Sequence, residues 1–360
     1  MKVLVGLSGG VDSSVVACLL KEQGHEVIGA TMSIWDKDKY SNINSLKEGC
    51  FSPHEEDDIA LAKELCKKLD IEYHVIDCTS IYQKIVLENF KQEYLNGRTP
   101  NPCVICNSKI KFDALPLGAI SKGIEFDKFA TGHYARLSYN EDINRYQLQA
   151  GIDNRKDQSY FIYRLTQSQL SKILMPLGGL TKEQTRELAK KYDLSVSNKK
   201  DSQDFYTGDV NDILKTAPIK GNIVDKSGKI LGTHNGIWNF TIGQRRGLGV
   251  SADRPLYVID LNKEKNEVVL GYVEDGQTSL IKATNINWLS VTNIQPDTLI
   301  KVKVRSSQAP TLAKFVPIDE NNAYIHFVDK QKAIASGQSV VFYDENDFVL
   351  GGGFIEKDEK

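Results

Sequence analysis

The chain has 360 residues, with 45 Lys and Arg against 47 Asp and Glu, a formal charge of −2 and 41% hydrophobic residues. That length predicts two or three domains with ample core. The balanced charge excludes a protein that is basic all over, though not one with a local basic face. Six cysteines in so long a chain exclude a disulfide scaffold. No apolar run reaches membrane-spanning length, and a strand starting at Val3 leaves no room for a signal peptide. The expectation is a soluble, cytoplasmic protein with no membrane partner.

Val3 to Leu7 reads as a buried strand and Val15 to Leu20 as the buried start of a helix. Between them Ser8-Gly9-Gly10 is a turn for residues without Cβ atoms. Its backbone N–H groups and the helix N-terminus make an anion cradle, so a phosphate site is predicted at the strand's carboxyl end. This is not the common P-loop, because no lysine follows the glycines. Asp12 can cap the helix or hold a metal, and Ser8 and Ser13 can donate to phosphate oxygens. The full string Ser8-Gly9-Gly10-Val11-Asp12-Ser13-Ser14 resembles the pyrophosphate loop of the ATP pyrophosphatase family, which cleaves ATP between the α and β phosphates. The resemblance implies ATP contacts from Gly6, Leu7, Ser8, Gly9, Gly10, Val11, Asp12 and Ser13, with Mg2+ as the nucleotide's counter-ion.

Glu26 to Met32 is predicted as a second strand, parallel to the first because one helix connects them. Met32 at its carboxyl end reads as a core methionine on pattern alone, while the resemblance to the ATP pyrophosphatase family implies an adenine contact there; both readings stay open. Ser33 to Glu48 reads as a polar, mobile loop. Ser52-Pro53-His54-Glu55 reads as a capped helix start, with a helix to Asp70 burying Ile59, Ala62, Leu65, Cys66 and Leu69. Tyr73 to Asp77 is a third strand. Cys18, Cys66 and Cys78 read as packing cysteines. The alternation of strand and helix predicts a parallel sheet covered on both faces.

The next signal is Gly97-Arg98-Thr99-Pro100-Asn101-Pro102-Cys103-Val104-Ile105-Cys106-Asn107. Its two prolines argue against a regular helix here, and the loop is expected to deliver Cys106 to a helix start, where a thiol pKa is lowered. The Cys-x-x-Cys spacing leaves three readings: half a zinc site, a redox or sulfur-handling dithiol, or part of an iron–sulfur cluster with Cys50 as a third ligand. Thr131-Gly132-His133-Tyr134-Ala135-Arg136 reads as a second strand end on the same sheet edge as Gly9 and Gly10. Arg155-Lys156-Asp157-Gln158-Ser159-Tyr160 alone reads as a solvated loop. Thr181 to Tyr192 is a helix with Thr181 and Gln184 as a capping box.

Near Lys200–Tyr206 the pattern changes to short strands, with basic, glycine-bearing Thr241 to Gly249 and a hairpin around Asn262-Lys263-Glu264. From about residue 279 the chain reads as a small β-barrel. Ile300, Val302 and Val304 alternate there with Lys301, Lys303 and Arg305, predicting a half-buried strand with a basic outer face.

These strings, in this order, resemble the bacterial tRNA-specific 2-thiouridylase family over essentially the whole chain. The resemblance implies an α/β domain with a parallel, adenine nucleotide alpha-hydrolase-like sheet (1–203), a small, mostly β central domain (204–278) and a C-terminal, tRNA-binding β-barrel (279–360). It implies ATP-dependent 2-thiolation of the wobble uridine of tRNAs for Lys, Glu and Gln, with sulfur from a persulfide donor such as a cysteine desulfurase or sulfur carrier. Cys106 is implied as the catalytic cysteine and Gly132 as a further ATP contact. Asn101, Pro102, Cys103, His133, Lys156, Asp157, Gln158, Arg305, Ser306 and Gln338 are implied tRNA contacts.

Two departures from the family matter. Cys103 replaces an aspartate, and Gln203 to Gly208 lacks the family's second cysteine. Cys103 is therefore expected to act with Cys106, closing a disulfide after each turnover. A [4Fe-4S] cluster on Cys50, Cys103 and Cys106 is the competing expectation. Rival functions are a GMP or NAD synthetase, which would not need the Pro-Cys loop, and a non-catalytic ATP-gated RNA binder, which would tolerate loss of Cys106.

Overall fold

The first strand, β1 (Lys2–Gly6), buries Val3, Leu4 and Val5 completely, as a strand covered on both faces must. The computed structural model describes every residue except 42, 44–48, 200–203 and 357–360. One compact unit comprises Met1–Val86, Pro102–Gly208 and Asn346–Val349; the other comprises Leu87–Asn101, Asp209–Glu345 and Leu350–Lys360.

In the first unit, β1 is followed by β2 (Glu26–Ser33), β3 (Glu72–Asp77) and β4 (Lys128–Ala130). A hairpin of β5 (Ala135–Asn140) and β6 (Arg145–Ala150) then precedes β7 (Ile173–Leu174). The sheet is parallel throughout, in the order β3-β2-β1-β4-β7. Chain order thus runs outward from β1 in both directions, so the carboxyl ends of β1 and β4 flank the switch point where ligands bind in open α/β sheets. Val3, Val5, Val15, Val16, Ala62, Leu65 and Cys66 share the core on one face.

Three local expectations are corrected. The helix Glu55–Leu69 has His54 at its cap and no side-chain capping bond. Glu55 does not close a box with Ser52; its carboxylate accepts from Ser33 Oγ (2.6 Å), Ile34 N–H (2.6 Å) and Trp35 N–H (3.0 Å), and so pins the end of β2. The start of the expected mobile loop is instead core, with Ile34, Trp35 and Tyr40 buried; its residues 42 and 44–48 lie outside the described residues, as do 200–203 of the expected domain boundary. Finally, a helix begins at Pro102 itself. A proline at the first helical position forfeits only an N–H that would have no partner. The run continues as Pro102–Cys106, a widened π stretch Asn107–Ala114, and Leu115–Ser121. The capping box at Thr181, by contrast, is present with both bonds.

In the second unit, the helix Glu88–Leu95 packs Tyr94 and Leu95 against a core containing Leu214, Ile223, Trp238, Val258 and Leu270. That core is covered by β8 (Gly221–Asp225), β9 (Ile230–His234), β10 (Tyr257–Asn262) and β11 (Glu267–Gly271), in the order β10-β11-β8-β9. Six further strands, β12 (Gln277–Trp288), β13 (Leu299–Lys303), β14 (Thr311–Pro317), β15 (Ala323–Lys332), β16 (Ser339–Tyr343) and β17 (Val349–Glu356), close a barrel in the order β12-β15-β14-β13-β16-β17. Ile300, Val302 and Val304 fill it as expected. The basic outer face of β13 is less basic than expected, because Lys303 is only 7% exposed and its ammonium lies 6.0 Å from the Tyr343 ring centre. No helix among the described residues is long and apolar enough to cross a membrane.

Candidate active site

The glycine turn leaves β1 at the predicted edge. Gly9 has φ +66°, and a Cβ there would come within 2.7 Å of the Asp58 backbone, so only glycine fits. Gly10 differs: its φ is −103° and a Cβ would meet only Ser8 Oγ at 3.4 Å. The requirement for residues without Cβ therefore holds for Gly9 alone. Leu7 is held by its N–H to Ala30 O (2.8 Å). Ser8 N–H donates to Ser13 Oγ (3.2 Å), and no side chain caps the helix Val11–Glu22. Its first turn faces the switch point with its amides unclaimed by a cap.

Asp12 does not cap that helix either. Its carboxylate accepts from Lys182 Nζ (2.7 and 2.9 Å) and from the Tyr134 hydroxyl (2.9 Å). Gly132 makes this packing possible, since a Cβ would lie 2.9 Å from Asp12 Cβ and 3.0 Å from Ser13 N. A second ammonium, Lys199 Nζ, sits 3.3 Å from Gly9 O and 2.5 Å from Asp58 Oδ1. Two lysines distant in sequence thus stand at the glycine turn, each paired with a carboxylate, where a P-loop carries its lysine inside the motif. Sequence reasoning missed both. The available signal for Lys182 was its place in the first turn of a helix, where a cation opposes the helix dipole. Met32, beside β1 at the carboxyl end of β2, is half-buried. His133 is 6% exposed, with Nδ1 2.7 Å from Thr131 Oγ1 and its ring against Phe112. Burial, reinforced by the Lys111 charge, holds its pKa well below the usual value, so the ring is neutral.

The cysteine segment contradicts the expected thiolate. Cys106 lies one turn inside the helix that starts at Pro102. Cys103 and Cys106 keep some surface exposure, yet desolvation by the surrounding protein pushes the Cys106 thiol up to about 12 and the Cys103 thiol up to about 11; Lys111 opposes this without reversing it. Cys50 is exposed, yet close enough for its charge to raise both. Its N–H donates to Asp204 O (3.2 Å), and Phe51 N–H donates to Phe205 O (2.9 Å). Phe51 stacks on Tyr82 at 5.6 Å. Asn107 donates weakly to Phe161 O (3.4 Å), while its Oδ1 is buried with no partner among the described residues. No group of three His, Cys, Asp or Glu among the described residues could hold a metal ion.

The loop at Lys156 is more ordered than a solvated loop. Asp157 accepts from Gly151 N–H (3.2 Å) and from Ser159 N–H and Oγ (both 3.0 Å), and Gln158 Oε1 accepts from Tyr134 N–H (3.0 Å). The loop is thereby tied to the turn that carries His133. In the second unit, Arg305 and Ser306 follow β13 as half-buried residues, and the Arg305 guanidinium donates to Ala333 O. A Cβ on Gly243 would lie 2.5 Å from Ala333 Cβ. The loop with exposed Arg245 and Arg246 therefore neighbours Arg305. Asn101 and Gln338 are joined there through the Pro-rich loop: Asn101 Nδ2 donates to Ser339 Oγ (3.5 Å), and Gln338 Nε2 to Thr99 O (3.2 Å) and Pro100 O (2.8 Å).

Three family models match the chain: a tRNA methyl transferase HUP domain over residues 1–206, a tRNA methyl transferase PRC-barrel domain over 210–272, and an aminomethyltransferase beta-barrel domain over 278–355. The tRNA-specific 2-thiouridylase MnmA of Endomicrobium trichonymphae is 47% identical over 357 residues, covering 99% of both chains. That of Clostridium botulinum strain Eklund 17B is 48% identical over 362 residues, covering 99% of this chain and 98% of its own. A solved chain described as a predicted subunit of tRNA methyltransferase from Methanocaldococcus jannaschii is 20% identical at a TM-score of 0.31, covering 53% of this chain and 74% of its own. With identity near one half sustained across both units, the chain belongs to the tRNA-specific 2-thiouridylase family.

Proposed function

We propose that the chain is a tRNA-uridine 2-sulfurtransferase that activates the C2 oxygen of the wobble uridine (position 34) with ATP and replaces it with sulfur. The observation that carries this reading is the placement of the glycine turn and Thr131-Gly132-His133 on either side of the sheet's switch point, with Lys182 and Lys199 beside them. Loop amides and the two ammonium groups suit a departing pyrophosphate. Magnesium enters with the nucleotide, in keeping with its habit of binding substrate phosphates rather than a protein cage.

A uracil carbonyl oxygen is a poor leaving group, and transfer of AMP to it makes a good one. The outer sulfur of a Cys106 persulfide, loaded by a donor of the cysteine desulfurase or sulfur-carrier class, attacks C2, and AMP leaves. Cys103 then attacks the Cys106 sulfur. The S–S bond to the transferred sulfur breaks, sulfur stays on C2, and a Cys103–Cys106 disulfide remains for a dithiol reductant to reopen. Asn101, Pro102, Cys103, His133, Lys156, Asp157, Gln158, Arg305, Ser306 and Gln338 are the proposed tRNA-side residues. The target base leaves its stack to reach the site.

The test is nucleoside mass analysis of tRNA from a strain lacking the gene, complemented with the wild-type chain or with Cys106→Ser. Restored 2-thiouridine with wild type and none with Cys106→Ser is expected; a synthetase or a non-catalytic RNA binder restores none with either. Anaerobic purification and an absorbance spectrum decide the cysteine chemistry. A broad visible band with stoichiometric iron would replace the disulfide by a [4Fe-4S] cluster on Cys50, Cys103 and Cys106.

A further inference from the structure

Three thiols gather in the first unit, and they differ in what can reach them. Cys103 and Cys106 sit three residues apart on the helix that starts at Pro102, and both are half-buried. Cys50 is exposed. It is nevertheless held in place. Cys50 N–H donates to Asp204 O at 3.2 Å and Phe51 N–H to Phe205 O at 2.9 Å, so residues 50 and 51 lie alongside 204 and 205. That is the stretch without a cysteine of its own. Phe51 is completely buried, with its ring stacked on Tyr82 at 5.6 Å and on Phe205 at 5.9 Å. Tyr82 marks where the thiols meet: charge on Cys50, Cys103 or Cys106 acts on its hydroxyl. All these residues belong to one compact unit.

We propose that Cys50 is the entry thiol of a sulfur relay, taking sulfur from a persulfide donor at the surface and handing it to Cys106. In the first step the Cys50 sulfur attacks the outer sulfur of the donor persulfide. The donor S–S bond breaks, the donor leaves as a thiol carrying the Cys50 proton, and Cys50 becomes a persulfide. In the second step the Cys106 sulfur attacks the outer sulfur on Cys50. The Cys50 S–S bond breaks, Cys50 takes the Cys106 proton, and the persulfide now stands on Cys106. Each step exchanges one S–S bond for another, so no oxidant or reductant is consumed.

The division of labour has a chemical reason. The thiolate is the attacking species, and a Cys106 thiol raised to about 12 is ionised to only about one part in 10⁵ at pH 7. A donor in solution meets that fraction rarely. A neighbouring persulfide on the same chain offsets it, because well-oriented intramolecular reactions reach effective molarities of about 10⁵–10⁸ M. The relay deepens the sulfurtransferase reading, supplying the route by which Cys106 is loaded, and rests on that reading for its catalytic consequence.

The test treats the full chain anaerobically with glutathione persulfide, without ATP or tRNA, followed by iodoacetamide and peptide mass analysis over time. Sulfur should appear first on Cys50 and then on Cys106. Cys106→Ser should trap it on Cys50, and Cys50→Ser should slow loading of Cys106 tenfold or more. With glutathione persulfide as the sulfur source, thiolation of tRNA by Cys50→Ser should fall by the same factor. Sodium sulfide, whose hydrosulfide attacks the activated C2 directly, should restore at least half of the lost rate. Sulfur on Cys106 at the wild-type rate in Cys50→Ser would overturn the relay. Loss of thiolation with both sulfur sources would make Cys50 structural and overturn it equally. So would stoichiometric iron in the wild-type chain that is lost in Cys50→Ser, since Cys50 would then be a cluster ligand. If the sulfurtransferase reading itself fails, the wild-type chain thiolates no tRNA from either source, and the order in which sulfur reaches Cys50 and Cys106 still decides the relay.

Discussion

Lys182 Nζ lies 2.7 and 2.9 Å from the two carboxylate oxygens of Asp12, a residue 170 positions earlier. The side chains keep 10% and 28% exposure, so the pair is largely desolvated. Removing one partner of a buried pair costs roughly 3–5 kcal/mol; with a quarter of Asp12 in water, about 3 kcal/mol is expected for Lys182→Met by urea unfolding. Asp12→Ala is accordingly no clean probe of phosphate or metal binding, because it strands Lys182. A double-mutant cycle with Asp12→Asn should return about 1–3 kcal/mol of coupling. Additive losses would mean that the pair does not form.

Gly9 and Gly10 should respond differently to the same substitution. Gly9→Ala forces a side chain into the left-handed region and against Asp58, so it should lower stability by more than about 1 kcal/mol. Gly10→Ala has ordinary backbone and room in the unliganded chain. It should leave the melting temperature nearly unchanged yet reduce ATP consumption by on the order of 10²-fold. Full turnover by Gly10→Ala would move the phosphates elsewhere.

The cysteines set an alkaline limit. Cys18, Cys66, Cys78, Cys103 and Cys106 are all raised by burial, to about 11, 12, 11, 11 and 12. Raised folded-state values favour the protonated thiols in the folded chain. Their stabilisation is therefore complete below about pH 8.5, the unfolded thiol value, and is lost as pH climbs toward 11–12. Alkylation of Cys106 in the unliganded protein should rise about tenfold per pH unit from 7 to 10, following its thiolate. A plateau below pH 9 would show a thiolate already formed at rest.

Exposed Arg245 and Arg246 lie on a loop that neighbours Arg305. If this face meets the tRNA backbone, Arg245→Ala and Arg246→Ala should each lower the salt slope of tRNA binding by about 0.7–0.9. Slopes equal to wild type would remove the loop from the interface.

Local patterns made much of the fold legible. Val3–Leu7, the Thr181 box and Ile300–Val304 each announce an element because the period or the cap is contained in a few residues. What failed was information carried by distant partners. Glu55 looked like half of a capping box, but the end of β2 claims its carboxylate. Cys106 looked like a helix-start thiolate until Pro102 began the helix a turn earlier and burial set the pKa. Lys182 and Lys199 were invisible as site residues because nothing adjacent to them mentions a nucleotide; only folding brings them to Asp12 and Gly9.

The chain leaves the first unit at Leu87, contributes Leu87–Asn101 to the second, and returns at Pro102. This has a consequence for biosynthesis. The helix Glu88–Leu95 meets its packing partners only when the chain from Leu214 to Leu270 has emerged. At ordinary rates of translation that delay is on the order of ten seconds. Through that interval the nascent sheet carries an insertion whose half-buried apolar residues, Tyr94 and Leu95, lack the core they pack against. Cutting the chain near residue 200 makes the interval permanent, so a catalytic fragment should aggregate rather than fold.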